Sequence, residues 1–304
     1  MRRLDSKANS PVRRSAALSD CIPPQLYFVG SAIFHYLGPS FAVLLFARVP
    51  VSGVAWLRIV SAALVFVLWR KPWRAFAKTN NETRWLIVCL GAVFAVMNYS
   101  FYFAIDRLPL GTVAAIEFIG PIALALIGAR SWRNLMALGL AAAGVYFLTD
   151  IRFAGEPLGF AWAFANAVLF TLYIVLAHRV SRSDPATKPI DRLGAAMLVA
   201  AVVITPLGLK DAMPALLDPV ALLAGFGVGI SSSVIPYAFD QLAMTKLARS
   251  TYALFVALLP ATAVVIGVIV LRQIPSWLEL GAVGLVIGGV LLHRRLCGSE
   301  HGCR

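Results

Sequence analysis

The chain has 304 residues, of which 60% are hydrophobic and only 13% are charged, and its mean hydropathy is +0.82. A water-soluble domain of this size does not carry so much apolar surface, so the composition excludes a soluble globular protein. The formal net charge is +13, but the basic residues lie between apolar stretches, which excludes a basic surface built to bind nucleic acid.

Ten apolar stretches follow a polar, basic segment at residues 1–24 that we predict to be a disordered cytoplasmic tail. Crossing a hydrocarbon layer takes about 20 helical residues. The predicted spans are residues 25–47, 49–69, 85–105, 110–129, 135–149, 158–178, 193–209, 220–240, 250–271 and 277–292, followed by a second tail at residues 293–304. The sequence therefore predicts an all-α polytopic membrane protein with ten transmembrane helices.

The basic residues sort into alternate loops. With the N-terminus inside, the cytoplasmic segments hold 21 of the 27 lysines and arginines, the outer loops hold five, and Arg58 lies inside a span. This asymmetry follows the positive-inside rule. It predicts a multi-pass protein of the bacterial inner (plasma) membrane with both termini in the cytoplasm.

An internal repeat divides the spans into two groups of five. Residues 104–128 match residues 243–267 at an offset of 139, and the Gly144-Val145 pair matches Gly289-Val290 at an offset of 145. We predict a first repeat at residues 25–149 and a second at 150–292. An odd number of spans inverts the second copy in the membrane, an architecture typical of secondary transporters, which bind substrate near the midplane.

Polar side chains inside the spans mark the candidate site, because charges within a bilayer are costly and usually face a bundle interior or a water-filled cavity. Arg58 in span 2 and Glu117 in span 4 are predicted to share a depth and to approach each other. Glu117 is either an acceptor of a proton or a substrate amine, with Arg58 binding a carboxylate, or the two form a structural ion pair only. The other candidates are His35, Asn98, Tyr99, Tyr102, Asn166, Ser232 and Tyr237.

Prolines and glycines are the candidates for shaping the helices. Pro121 and Pro260 are predicted to kink spans 4 and 9. Gly284 and Gly288 form a small-residue face that favours packing inside the bundle over a dimer, so the chain is expected to be a monomer or a homodimer. The sequence has no phosphate-binding loop, trusted metal motif or predicted disulfide, so we expect no cofactor and no metal.

The stretch from Met97 to Leu126 resembles spans 3 and 4 of the threonine and homoserine exporters within the drug/metabolite transporter superfamily (EamA type). The residues that carry the resemblance are Met97-Asn98-Tyr99, Pro109-Leu110-Gly111, Glu117-Phe118 and Gly120-Pro121. The resemblance implies ten spans in two inverted repeats and an inner-membrane exporter of small amino acids. On this resemblance, Asn98 and Glu117 correspond to motif positions of the family, and no role is assigned to either.

The function expected from these observations is export of threonine-like or homoserine-like amino acids by proton antiport with alternating access. Its partners would be an amino-acid substrate, the lipid bilayer and protons, without nucleic acid. The alternative within transport is efflux of other metabolites or lipophilic drugs. The alternatives from other classes are an intramembrane enzyme, which we do not favour because no catalytic cluster is present, and a non-transporting membrane scaffold.

Overall fold

The computed structural model describes residues 24–120, 123, 132–152, 156–183, 187–236, 239 and 259–294. Most of these residues are helical, and there is no β-strand among them. The helices are α1 (Pro24–Leu45), α2 (Val51–Arg70), α3 (Pro72–Lys78), α4 (Asn81–Ile105), α5 (Leu110–Glu117), α6 (Trp132–Arg152), α7 (Pro157–Arg182), α8 (Pro189–Leu217), α9 (Pro219–Gly229, continued by a π-helical turn at Ile230–Val234), α10 (Leu259–Leu271) and α11 (Trp277–Arg294).

Proline marks the starts of these helices. Its fixed φ angle suits the first helical turn, where its missing N–H is not needed. Five helices begin with proline: α1, α3, α7, α8 and α9. Two more, α2 and α5, directly follow Pro50 and Pro109. Proline in the local sequence therefore indicates where seven of these helices begin.

Four of the described helices are long and apolar enough to cross a membrane, namely Val51–Arg70, Asn81–Ile105, Pro157–Val180 and Ile190–Leu217. Shorter apolar helices lie at Val29–Leu45, Leu135–Phe147, Pro219–Val234, Leu259–Leu271 and Trp277–Gly289. The all-α class of a polytopic membrane protein is thus confirmed, and ten crossings remain a prediction. The short helix α3, in the loop after span 2, was not predicted.

Two predicted spans differ from the observed helices. Span 7 was predicted to end at residue 209, but α8 continues to Leu217, so Lys210 and Asp211 are helical and only Asp218 separates α8 from α9. Helix α8 continues because the residues that follow Lys210 and Asp211 are apolar. Span 4 was predicted as one helix, but α5 ends at Glu117 and a turn follows at Phe118.

The most extensive helix contacts join the two predicted halves: α2 packs on α8, α4 on α7, and α6 on α11. Polar contacts hold α2 and α8 together at both ends. Ser52 donates a hydrogen bond to the Asp211 carboxylate at one end, and Arg70 forms a 2.7 Å ion pair with Asp191 at the other. The two helices therefore have a fixed register, and their buried apolar residues lie between these contacts.

Glycine allows α6 and α11 to approach closely. A methyl group at Gly144 would lie 2.5 Å from the carbonyl oxygen of Ala282, and one at Gly289 would lie 2.5 Å from that of Ala137. The predicted packing of Gly284 and Gly288 inside the bundle is not seen among the described residues. Gly284 and Gly288 have no neighbouring atom within 4 Å of such a methyl group among the described residues, because the helix turns the neighbouring Gly289 toward α6 instead.

Candidate functional site

A small cavity of about 40 Å³ lies among α1, α2, α4, α5 and α7. Side chains from both predicted halves form its walls. Five of the predicted site residues line it, namely His35, Arg58, Asn98, Glu117 and Asn166. The remaining walls are apolar or aromatic and consist of Tyr36, Pro39, Phe94, Met97, Phe101, Phe170 and Tyr173. This composition is typical of small-molecule sites, which combine apolar walls with a few polar groups.

Arg58 and Glu117 reach this cavity from helices that enter the membrane from the same predicted side. Each is the eighth residue of its helix, α2 or α5. A rise of about 1.5 Å per residue places both about 12 Å along their helices. Both side chains are more than nine-tenths buried, at 7% and 8% exposure. Two ionisable groups are therefore held inside the apolar bundle.

Neutral groups surround the Arg58 guanidinium. Its Nε donates to the Ser233 hydroxyl at 3.3 Å, and its Nη2 faces the Ser232 carbonyl at 3.5 Å. The Tyr102 ring lies 5.3 Å from the guanidinium carbon, a cation–π distance. Both serines lie in the π-helical turn that interrupts the end of α9, and such turns redirect backbone and side-chain groups. Within the described part of the chain, Nη1 is buried without a hydrogen-bond partner.

The Glu117 carboxylate has an amide as its neighbour. The Asn166 Nδ2 donates to Glu117 Oε1 at 3.2 Å, while the Asn166 Oδ1 is buried without a partner among the described residues. The sequence explains why α5 stops here. Pro121 has no N–H to donate to the Glu117 carbonyl four residues earlier, so the helix loses its hydrogen bond at that point.

A proline also removes a backbone hydrogen bond from α1. Pro39 lies inside this helix, and having no N–H it leaves the carbonyl of His35 without its α-helical donor. His35 and Pro39 both line the cavity. Pro39 and Pro121 each follow a cavity-lining residue, His35 or Glu117, by four positions, so neither carbonyl receives the α-helical hydrogen bond from that position.

Arg58 and Glu117, predicted to approach each other, line one cavity without a direct ion pair among the described residues. Neither of the two ion pairs found in the described residues joins these side chains. Arg58 is held by the π-helical turn of the second half, and Glu117 by Asn166 of α7. The helix rotations give each charge a neutral partner while both line one cavity, so both charges remain available to a ligand.

The other predicted residues lie in several places. Asn98 lines the cavity, whereas Tyr102 and Ser232 are buried behind Arg58. Tyr99 is turned away from the cavity and contacts the rings of Phe103 and Trp162, with centroids 4.6 and 6.1 Å away. Pro260 is buried near the start of α10. Tyr237 and Pro121 lie outside the described residues.

Sequence reasoning missed most of the apolar wall. Phe94 and Phe101 lie four and three residues from Asn98 on α4, and Met97 lies three residues from Phe94 and four from Phe101. These are the spacings that bring helix side chains together. That spacing, counted outward from Asn98, was the signal that could have identified them. It also excludes Tyr99 from the face, because Tyr99 lies two residues from both Met97 and Phe101, and a two-residue step rotates a side chain by about 200° around the helix.

The site offers complementary hydrogen-bonding groups and no reactive set among the described residues. Arg58 supplies an unpaired donor with a positive charge. The Glu117 carboxylate supplies a negatively charged acceptor, and the Asn166 Oδ1 supplies a neutral one. Buried polar atoms without partners are uncommon in folded proteins and call for an explanation. A bound molecule that carries both charges would satisfy them.

A polar cavity inside a bundle of apolar helices is typical of secondary transporters, a class of polytopic membrane protein. The family model of the EamA-like transporter family matches residues 157–295. Together with the relatives described next, this shows that the chain belongs to the EamA-like transporter family.

Curated relatives match over most of their length. The threonine/homoserine exporter RhtA of Escherichia coli (strain K12) is 33% identical over 258 residues, which cover 82% of this chain and 84% of that protein. The protein of the same name from Salmonella typhimurium (strain LT2) is 32% identical over 270 residues, covering 85% and 88%. Both are named as exporters, not as enzymes. One solved crystal structure has 19% sequence identity and aligns with a TM-score of 0.58. The alignment covers 90% of this chain and 98% of that chain, which shows a shared fold.

Proposed function

We propose that the protein exports small amino acids of the threonine and homoserine type from the cytoplasm, in exchange for protons. The observation that carries this proposal is that one cavity is lined by both a buried guanidinium with a free donor, Arg58, and a buried carboxylate, Glu117. Arg58 would bind the substrate carboxylate, and Glu117 with Asn166 would bind its ammonium group. The curated relatives, named for the export of threonine and homoserine, support the same substrate class.

Proton exchange follows from the position of Glu117. An isolated carboxylate inside an apolar bundle is costly and is neutralised by either a proton or a bound cation. The substrate ammonium and the proton would therefore compete for the same carboxylate. A site that must hold one or the other when it crosses the membrane exchanges them, which is the chemical requirement for antiport.

Alternating access would arise from two inverted repeats that move against each other. The contact of Gly144 with Ala282 becomes that of Gly289 with Ala137 when 145 is added to or subtracted from the residue numbers, the same offset at which the Gly-Val pair recurs. A second set of contacts supports this two-fold relation. A methyl group at Gly91 would lie 2.5 Å from the Ala196 carbonyl, and one at Gly229 would lie 2.7 Å from the Arg58 carbonyl. These two contacts are related by an offset of 138, which separates Gly91 from Gly229 and Arg58 from Ala196.

The proposed topology in the bacterial inner membrane has both termini in the cytoplasm, and cysteine labelling tests it. In a variant without the four native cysteines, we expect cysteines at Lys78 and Ser183 to react with an impermeant reagent only after permeabilisation. Cysteines at Asp106 and Ile274 should react in intact cells. Asp211 is unsuitable as a reporter because its carboxylate is bonded to Ser52. Labelling of Lys78 and Ile274 from the same side would contradict the inverted repeat.

Reconstitution tests the proposed function. Proteoliposomes loaded with labelled threonine or homoserine should release them faster than protein-free vesicles, and an outwardly acidic pH gradient should accelerate the release. A panel that includes a lipophilic cation separates amino-acid export from drug efflux. Efflux of the cation alone, without efflux of any amino acid, would contradict the proposal.

A further inference from the structure

We propose that Asn98 binds the side-chain hydroxyl of the transported amino acid and thereby selects hydroxy amino acids over apolar ones of the same size. This inference rests on the proposed function, because it assigns a further polar group of the same cavity. Asn98 is 3% exposed and lines the cavity that holds Arg58 and Glu117.

The orientation of the Asn98 amide is fixed by one hydrogen bond. Its Nδ2 donates to the Phe94 carbonyl at 2.8 Å, and a carbonyl oxygen can only accept, so the nitrogen must be the atom on that side. The Oδ1 is therefore directed away from the Phe94 carbonyl. Asn98 thus presents its Oδ1 acceptor to a ligand, while one of its two N–H donors is bonded to the backbone.

The surroundings of Asn98 indicate which part of the ligand it meets. The other α4 residues on the cavity, Phe94, Met97 and Phe101, are apolar. A zwitterion held by Arg58 and Glu117 directs its side chain toward an apolar wall, since its charged ends are already bound. Asn98 is the polar group that α4 adds to this wall, so its acceptor is matched by a side-chain hydroxyl donor.

The expected consequence is discrimination between isosteres. Valine has a methyl group where threonine has its hydroxyl, and norvaline has one where homoserine has its hydroxyl. Binding of either apolar analogue would leave the Asn98 oxygen buried without a donor, and sites built to bond a hydroxyl reject analogues that lack it. We expect a preference of at least about tenfold for each hydroxy amino acid, the effect of one unsatisfied buried group.

Competition in counterflow measures this preference. Proteoliposomes that exchange labelled threonine are challenged with threonine, valine, homoserine and norvaline, and the concentration for half-inhibition is determined for each. Asn98→Leu, which has similar size and no acceptor, should bring the threonine-to-valine ratio close to one. Met97→Leu is the matched control on the same wall, and it should alter affinity for both members of a pair equally. Tyr173→Phe tests the hydroxyl on the facing wall and should keep the ratio.

The outcomes separate this inference from the proposed function. No exchange of any of the four amino acids would contradict the proposed function itself. Equal inhibition by threonine and valine in the unmodified protein would overturn the role of Asn98, and this result does not depend on any variant folding. An unchanged ratio in a folded Asn98→Leu protein, or loss of the ratio in Tyr173→Phe, would overturn it as well. Loss of the ratio in Asn98→Leu alone supports it.

Discussion

Replacement of Glu117 by glutamine is expected to abolish export driven by a pH gradient. Glutamine keeps the size of the side chain and can still bond Asn166, but it cannot exchange a proton. One pH unit is worth about 1.4 kcal/mol per proton, so a coupled antiporter can sustain a substrate ratio of about tenfold. The Glu117→Gln protein should sustain no pH-driven ratio in proteoliposomes that contain labelled threonine.

Glu279 provides the matched control for this experiment. It is a buried carboxylate at 4% exposure, but it lies at the start of α11, where it accepts from the Ser276 backbone N–H at 2.8 Å, and it does not line the cavity of Glu117. Glu279→Gln should therefore keep the pH-driven ratio. If Glu117→Gln responds to the pH gradient as the unmodified protein does, Glu117 is not the coupling group, and His35 becomes the next residue to test.

Replacement of Arg58 by methionine is expected to remove recognition of the substrate carboxylate. Methionine keeps a long, unbranched side chain in the same space but has no charge. Removing one partner of a buried charge pair costs about 2 to 5 kcal/mol, which corresponds to a loss of affinity between about 30-fold and several thousand-fold. Counterflow of threonine should fall by at least the lower figure, whereas Arg58→Lys should retain part of it.

Two comparisons separate binding by Arg58 from a purely structural role. Threonine amide lacks the carboxylate, so the unmodified protein should prefer threonine strongly and Arg58→Met should lose that preference. Arg70→Met is the matched control on the same helix: Arg70 is partly exposed and pairs with Asp191, and exposed ion pairs contribute about 0–1 kcal/mol. A folded Arg58→Met protein that still prefers threonine over its amide would show that Arg58 only anchors the π-helical turn to α2.

The sequence by itself determined the class of this protein and the positions of most of its helices. Hydrophobic stretches must be helical inside a bilayer, because lipid offers no hydrogen bonds to the backbone. Prolines then marked several of the helix starts. The sequence also placed Arg58 and Glu117 at one depth, since residue counts along a helix convert directly into distance.

The tertiary structure decided which side chains meet. Residue numbers do not fix how far each helix is rotated or where a proline or π-helical turn interrupts it. Packing of α2 against α8 and of α4 against α7 set those rotations, turning Asn98 into the cavity and Tyr99 out of it. The same packing gave Arg58 and Glu117 separate neutral partners, because contacts between distant segments depend on close approach of whole helices, which no local pattern encodes.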